Sequence, residues 1–329
     1  MSSAADFFAE SGSFAPPSLA KTRAKLNRFV AVQIATQRPI VVITSGGTTV
    51  PLEVKTVRFI DNFSTGNRGA TSVEYFLRHR YAVVFLHRLG SMFPFTRRVA
   101  PEISNSVPAE DWFEGAASRM QRETANLDLA TTFLPIGFTT IFEYLFLLRE
   151  ATIAVNPAGP SAMLYLSAAV SDFYIPEADM ATDKIQSSAD GLSIQLKNVP
   201  KMLSLVKGEW APEVFLVSFK LETNENILQA KAVGAIQKYA VDAVCANNLL
   251  TYKDEVTIIQ CKPGTLPAEV VVHAESISGD ETVPIGVDGI DTDRLLRDPA
   301  AEDIESVMIP RLAAKHAQFI QAAGKGAAL

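Results

Sequence analysis

One apolar run sets the frame for this chain. Ile40-Val41-Val42-Ile43 is too continuous for a half-exposed strand and stops at Thr44-Ser45-Gly46-Gly47-Thr48. A buried parallel strand that ends in paired glycines predicts a strand-to-helix turn with little side-chain bulk. The pattern then repeats. Strands are expected over Ile40–Thr44, Tyr81–Leu86, Ala130–Pro135 and Met163–Ala169, with helices over Gly69–Arg80, Ala109–Leu127 and Thr140–Ala151 between them. Such alternation predicts an α/β fold, Rossmann-like and doubly wound, with a mostly parallel sheet covered by helices on both faces.

Past Val170 the pattern loosens. Strands are expected at Ser193–Leu196, Val214–Phe219 and Asp242–Ala246, and a helix over Asn224–Tyr239. Val256–Gln260 and Glu269–His273 read as a late strand pair about the turn Lys262-Pro263-Gly264, and the acidic stretch Gly279 to Asp303 as a surface loop. A last helix is expected from Asp303 to Ala322, kinked or begun afresh at Pro310. Residues 1–38 form an N-terminal extension, a loose start followed by a helix over Ala20–Ala35. Residues 39–323 form a single domain and 324–329 a flexible tail.

Bulk properties exclude several classes. With 329 residues, 48% of them apolar, the chain can bury a large core. Its net charge of −6 argues against nucleic acid or an anionic membrane as partner. Met1 to Glu10 lacks a signal-peptide pattern, and no apolar run reaches the ~20 residues of a membrane span. A cytoplasmic location is expected, with the nucleus as the alternative. Cys245 and Cys261, the two cysteines, read as reduced core residues.

Motif chemistry narrows the field further. There is no G-x-G-x-x-G turn and no P-loop, and none of the seven tyrosines has a lysine four positions on. His79, His87, His273 and His316 show no zinc-ligand spacing, so no protein-held metal is expected. What stays is a phosphate or nucleotide site of another kind. Val57–Ala70 contains Arg58, Asn62, the small-residue turn Ser64-Thr65-Gly66 and Arg68-Gly69 at the start of a helix, where backbone amides and the helix dipole favour an anion. Small or polar residues also close four further segments: Ser167-Ala168-Ala169-Val170-Ser171-Asp172, Lys197-Asn198-Val199-Pro200-Lys201, Ser218-Phe219-Lys220 and Cys245-Ala246-Asn247. Together they outline a rim at the strands' C-terminal ends, where open α/β sheets bind ligands.

These segments, with Lys184–Ser188 and the late His316-Ala317-Gln318-Phe319-Ile320, resemble the phosphopantothenate–cysteine ligase family in its eukaryotic, monofunctional form, over residues 40 to 322. The resemblance implies activation of the 4′-phosphopantothenate carboxylate by a nucleoside triphosphate with Mg²⁺, then capture of the acyl-nucleotide by L-cysteine. ATP is expected as the triphosphate and CTP is the alternative, because the bacterial lysine-rich tract reads here Lys184-Ile185-Gln186-Ser187. A homodimer is implied, with Met92-Phe93-Pro94-Phe95 as its expected contact surface.

Residue by residue, the resemblance makes Asn62 the acyl-group ligand, Arg58 the grip on the substrate's phosphate, and Ala168 and Ala169 its backbone contacts. Gly46, Ser64, Gly66 and Gly69 match the triphosphate cradle. Asp172, Lys201, Phe219 and Asn247 match nucleotide contacts, and Lys184 a mobile charge beside the transferring phosphoryl group. His316 is expected at the rim, taking a proton from the cysteine ammonium; packing beside Phe319 is the alternative. Other classes compatible with the fold are a nicotinamide oxidoreductase, disfavoured by the missing glycine fingerprint, and an inactive nucleotide-binding dimer module.

Overall fold

A computed structural model describes residues 4–96, 118, 120–187, 191–222, 225–278 and 281–326. Its centre is an eight-stranded sheet. Strands β1 (Ile40–Ser45), β4 (Ala82–Arg88), β5 (Phe133–Phe138), β6 (Ala162–Leu166), β9 (Phe215–Glu222) and β10 (Ala243–Asn248) run parallel. Strands β11 (Glu255–Cys261) and β14 (Ile290–Leu296) extend the β10 edge antiparallel. The spatial order is β14-β11-β10-β9-β6-β1-β4-β5. The chain moves from β1 outward to β5, then returns to the other side of β1 with β6. The topological switch therefore lies between β1 and β6.

Strand alternation divides the core. Ile40 and Val42 join one apolar cluster with Leu26 and Val30 of helix α2 (Leu19–Ala35), the mostly buried helix α5 (Ile141–Val155), and Ala232 and Ile236 of helix α7 (Glu225–Tyr239). Val41 and Ile43 face the other way, onto Val73 and Phe76 of helix α3 (Asn67–Arg78) and Met308 and Leu312 of helix α8 (Glu305–Gly326). Between these lies the short turn α4 (Leu129–Thr132), which delays β5 beyond the expected Ala130 start. Thr140 and Glu143 form a reciprocal capping box at the start of α5.

Several expectations are corrected. The segment expected to be loose holds a helix, α1 (Ala4–Glu10), whose Phe7 is fully buried against Phe142 and Tyr174. Ser193–Leu196 forms no strand, because it is exposed and has no face to bury. Instead β8 (Lys197–Asn198) pairs with β7 (Phe173–Tyr174). The two late strands form but do not pair with each other. β11 pairs with β10 and β14, while β12 (Val271–Ser278) pairs with β13 (Glu281–Asp288). The stretch expected as an acidic loop thus holds β13 and β14, joined at Gly289, whose φ is +83°. Pro310 lies inside α8, which runs without interruption from Glu305 to Gly326 and does not begin afresh there; the ring removes one hydrogen bond of the ladder. The expected helix Ala109–Leu127 falls largely outside the described residues.

Candidate active site

The turns after β1 and β6 meet across the switch point. The Ala169 amide donates to the Gly46 carbonyl at 2.9 Å and the Thr48 amide to the Ala169 carbonyl at 3.0 Å. The Ala168 amide donates to Thr44 Oγ1 at 3.1 Å. Both alanine amides are therefore engaged within the protein. Two close approaches make glycine obligatory here. A Cβ on Gly47 would lie 1.5 Å from the Asn62 carbonyl oxygen, and one on Gly69 would lie 2.4 Å from Ser45. Gly46 and Gly66 take the left-handed conformation, with φ of +86° and +77°.

The hairpin carrying Asn62 is β2 (Thr49–Pro51) with β3 (Phe59–Asp61). The Asn62 amide donates to the Thr48 carbonyl at 3.1 Å. Arg88, at the end of β4, pairs with Asp61 and donates to the Gly47 carbonyl at 3.2 Å. It thereby fixes the residue before Asn62 to the glycine turn. Asn62 leaves its side chain half-buried at the crevice. Ser64 Oγ accepts from the Gly66 amide at 3.3 Å, just where α3 begins.

Arg58 is committed elsewhere. Its guanidinium donates to Glu53 at 3.1 Å and to the Ile185 carbonyl at 3.0 Å. Glu53 is fully buried and also accepts from the Val57, Arg58 and Ile185 amides. Burial alone would raise its pKa, but those amides and Arg58 bring the carboxyl below its ordinary value. The pair staples the Lys184 loop to the hairpin, and Lys184 itself is exposed.

Two further clusters complete the crevice. Asp172 pairs with Lys201 at 3.0 Å, both side chains exposed, at the mouth of a cavity of about 330 Å³ that Phe219 also lines. Asn247 is buried at the end of β10. Its Oδ1 accepts from Arg68 at 3.4 Å, while Arg68 also binds Glu305 at 2.8 Å and the Tyr252 carbonyl at 2.6 Å. Burial pushes the Glu305 carboxyl above the usual carboxylate range, against the pull of Arg68. Sequence reasoning counted Arg68 in a cradle for a phosphorylated ligand and left Arg88 without a role. For Arg68 a signal existed: a cation in the first turn of a helix opposes the dipole and calls for a buried partner.

His316 is not at the rim. It is fully buried, with Nδ1 2.9 Å from the Tyr81 hydroxyl and Nε2 2.9 Å from the Pro160 carbonyl. Tyr81 precedes β4, Pro160 precedes β6 and Phe215, whose ring packs on the imidazole, begins β9. All three mark the strands' N-terminal ends, so His316 lies about a strand's length, roughly 17 Å, from the crevice. Since the carbonyl can only accept, Nε2 carries the proton and the Tyr81 hydroxyl donates to Nδ1. Burial pushes the imidazole pKa down to about 4, with bonds to the Pro160 and Ala162 carbonyls opposing it. The Met92–Phe95 surface is also corrected. Phe95 is buried and Phe93 packs edge-on against Phe85 and Phe133.

The chain matches known proteins along most of its length. The family model described as DNA/pantothenate metabolism flavoprotein C-terminal domain matches residues 150–262. The human phosphopantothenate–cysteine ligase is 44% identical over 258 residues, covering 74% of this chain and 83% of that protein. The yeast (Saccharomyces cerevisiae) ligase CAB2 is 33% identical over 321 residues, 89% of this chain and 80% of that one. A solved histidine-to-alanine mutant of Cab2 in complex with phosphopantothenate-cysteine superposes with a TM-score of 0.78 at 31% identity, covering 94% of this chain and 97% of the other.

Proposed function

Because the chain belongs to the phosphopantothenate–cysteine ligase family, whose members form an amide bond on the route to coenzyme A, we propose that it activates 4′-phosphopantothenate with ATP and couples it to L-cysteine. The carboxylate oxygen attacks the α-phosphorus and pyrophosphate leaves. The cysteine amine then attacks the acyl carbon, the acyl–oxygen bond breaks, and AMP departs with the electron pair. The amine loses its proton to solvent or to the departing phosphate.

The observation that carries this reading is the meeting of the β1 and β6 turns across the switch point through Gly46, Thr48 and Ala169. It gathers Asn62, the N-terminus of α3 and the Phe219 cavity at one end of the sheet. In this reading the side-chain amide of Asn62 binds the acyl oxygen, which gains charge as the cysteine amine attacks. Gly46, Ser64, Gly66 and Gly69 receive the triphosphate at the positive end of α3. Lys184, exposed on the loop that Arg58 staples, supplies a movable charge, and Asp172, Lys201, Phe219 and Asn247 hold the nucleoside. Ala168 and Ala169 serve phosphopantothenate through small size, and Arg58, held through Nη1 by Glu53 and the Ile185 carbonyl yet 38% exposed, offers the rest of its guanidinium to the substrate's phosphate. Mg²⁺ enters with the triphosphate as part of the substrate. In this reading phosphates and water coordinate the ion.

Homodimerisation belongs to the same reading. What supports it is the apolar, exposed character of the Asn62 hairpin, where Phe63 is 86% and Val57 55% exposed. Light scattering should give twice the monomer mass, and a monomer at micromolar concentration would refute it. Among the described residues no helix is long and apolar enough to cross a membrane.

The deciding assay supplies phosphopantothenate, cysteine and either ATP or CTP, and follows pyrophosphate. ATP should support it best; pyrophosphate from neither nucleotide overturns the reading. Asn62→Asp puts a repelling carboxylate where a donor is needed. It should slow amide formation about 10²–10³-fold while acyl-adenylate accumulates, detectable by mass spectrometry. Equal loss in both half-reactions would count against this role of Asn62.

A further inference from the structure

The cavity beside Phe219 has a polar floor that nothing in the protein uses. Its walls are Tyr144, Leu145 and Leu148 from α5, Val199 and Met202 from the opposite loop, and Phe219 at the strand end. Ser218 also lines it. Strand alternation turns Ser218 to the same face as Leu216, toward α5, while Phe219 packs edge-on against Tyr165 on the other side. Ser218 is only 5% exposed. Its hydroxyl is one of three buried hydroxyls without a hydrogen-bond partner among the described residues; the other two, on Thr71 and Thr152, belong to helices α3 and α5.

An unpaired buried hydroxyl is destabilising, and alanine would fill the position without that cost. A serine here makes sense when a ligand brings the partner. The walls say what kind of ligand part that is. Leucine, valine, methionine and aromatic rings make up most of a lining that also carries Asp172, Lys201 and Lys220, and such walls suit a flat, weakly polar ring. β9 is separated from β1 by β6 alone, which puts the two strand ends about 10 Å apart. A nucleotide can span that distance, with its phosphates at the Gly46 turn and its base over Ser218.

We propose that the Ser218 hydroxyl contacts the base of the bound nucleoside triphosphate and contributes to the choice between ATP and CTP. This deepens the ligase reading and rests on it. A hydroxyl both donates and accepts, so it pairs with a ring nitrogen or an exocyclic amine according to how each base sits in the slot.

Ser218→Ala tests this with two readouts of opposite sense. Nucleotide KM should rise about 3- to 10-fold, the worth of one neutral hydrogen bond. The preference between ATP and CTP should narrow, and KM for phosphopantothenate and for cysteine should hold. The melting temperature of the free enzyme should stay level or rise, because an unsatisfied group has been removed. An unchanged nucleotide KM overturns the proposal, as does a raised KM for phosphopantothenate in its place, or a fall in melting temperature with KM unaltered. Asp172→Ala separates the two levels of failure. If it raises nucleotide KM while Ser218→Ala does not, the cavity still serves the nucleotide and Ser218 alone is wrongly assigned. If both variants leave nucleotide KM unchanged, the assignment of the cavity itself falls.

Discussion

Helix α8 is fastened to the sheet at two places, and the two fastenings differ in kind. At its first residue Glu305 accepts from Arg68, which also donates to Asn247 and to the Tyr252 carbonyl at the C-terminal ends of the strands. Further along, His316 meets Tyr81 and the Pro160 carbonyl at the N-terminal ends. Both clusters are buried and polar. The first is charged, leaves Arg68 partly open, and holds Asn247, a residue of the crevice. The second is neutral, sealed, and touches nothing in the crevice. In an open α/β sheet the strand end at which a polar cluster lies separates groups able to act on a ligand from groups that hold the scaffold.

The largest expected effect breaks the charged cluster. Glu305→Ala leaves Arg68 buried without its carboxylate, a loss of about 3–5 kcal/mol for pairs of this kind. Chemical denaturation should show that loss. Nucleotide affinity should fall with it in the folded fraction, since Arg68 no longer holds Asn247 in place. If stability drops while nucleotide KM is untouched, the two fastenings are alike and the contrast fails.

His316→Ala should cost somewhat less, about 2–4 kcal/mol for the lost ring and its bonds, with turnover of the folded enzyme near normal. A slowed amide-forming step at unchanged melting temperature would restore a catalytic role. pH gives a second handle. The imidazole titrates near 6.5 when unfolded and near 4 when folded, so below 6.5 the unfolded chain binds more protons. The stability it contributes is whole above about pH 6.5 and declines as pH falls toward 4, by about 3 kcal/mol in all. His316→Ala should flatten that part of the stability profile.

Much of this was legible beforehand, for reasons the two clusters make plain. The run Ile40–Ile43 and the glycines after it identify β1 and its turn, because burial on both faces and close backbone approach each leave a mark on residue type. Asn62, Phe219 and Asn247 follow from their places at strand ends. His316 was misplaced because helical spacing shows which residues share a face, not which end of the strands that face meets. Arg68 was read as part of a phosphate cradle and its ion pair was missed, because the partner is 237 positions away and no local pattern carries such a pairing. β13 and β14 were hidden by acidic residues. On the edge strand β14, Ile290 and Leu295 are buried, Asp291 is exposed, and Asp293 is half-buried and pairs with Arg311 of α8 at 3.3 Å; the Asp288-Gly289 turn was the available signal.

The smallest effect probes the neutral cluster most closely. Tyr81→Phe keeps the ring that packs on Phe76 and His316 and removes only the hydroxyl. Nε2 stays protonated toward Pro160, so Nδ1 becomes a buried acceptor without a donor. The cost should be about 1–2 kcal/mol, read as a lower denaturation midpoint with unchanged slope. Losing the donor also relieves the neutral ring of its best acceptor contact, so the imidazole should protonate slightly more readily and its NMR titration midpoint should move up from about 4. Turnover should not change with any of the three substrates. A fall in kcat at unaltered stability would mean that the N-terminal end of the sheet communicates with the crevice through α8, and the separation of the two fastenings would then be one of distance and not of function.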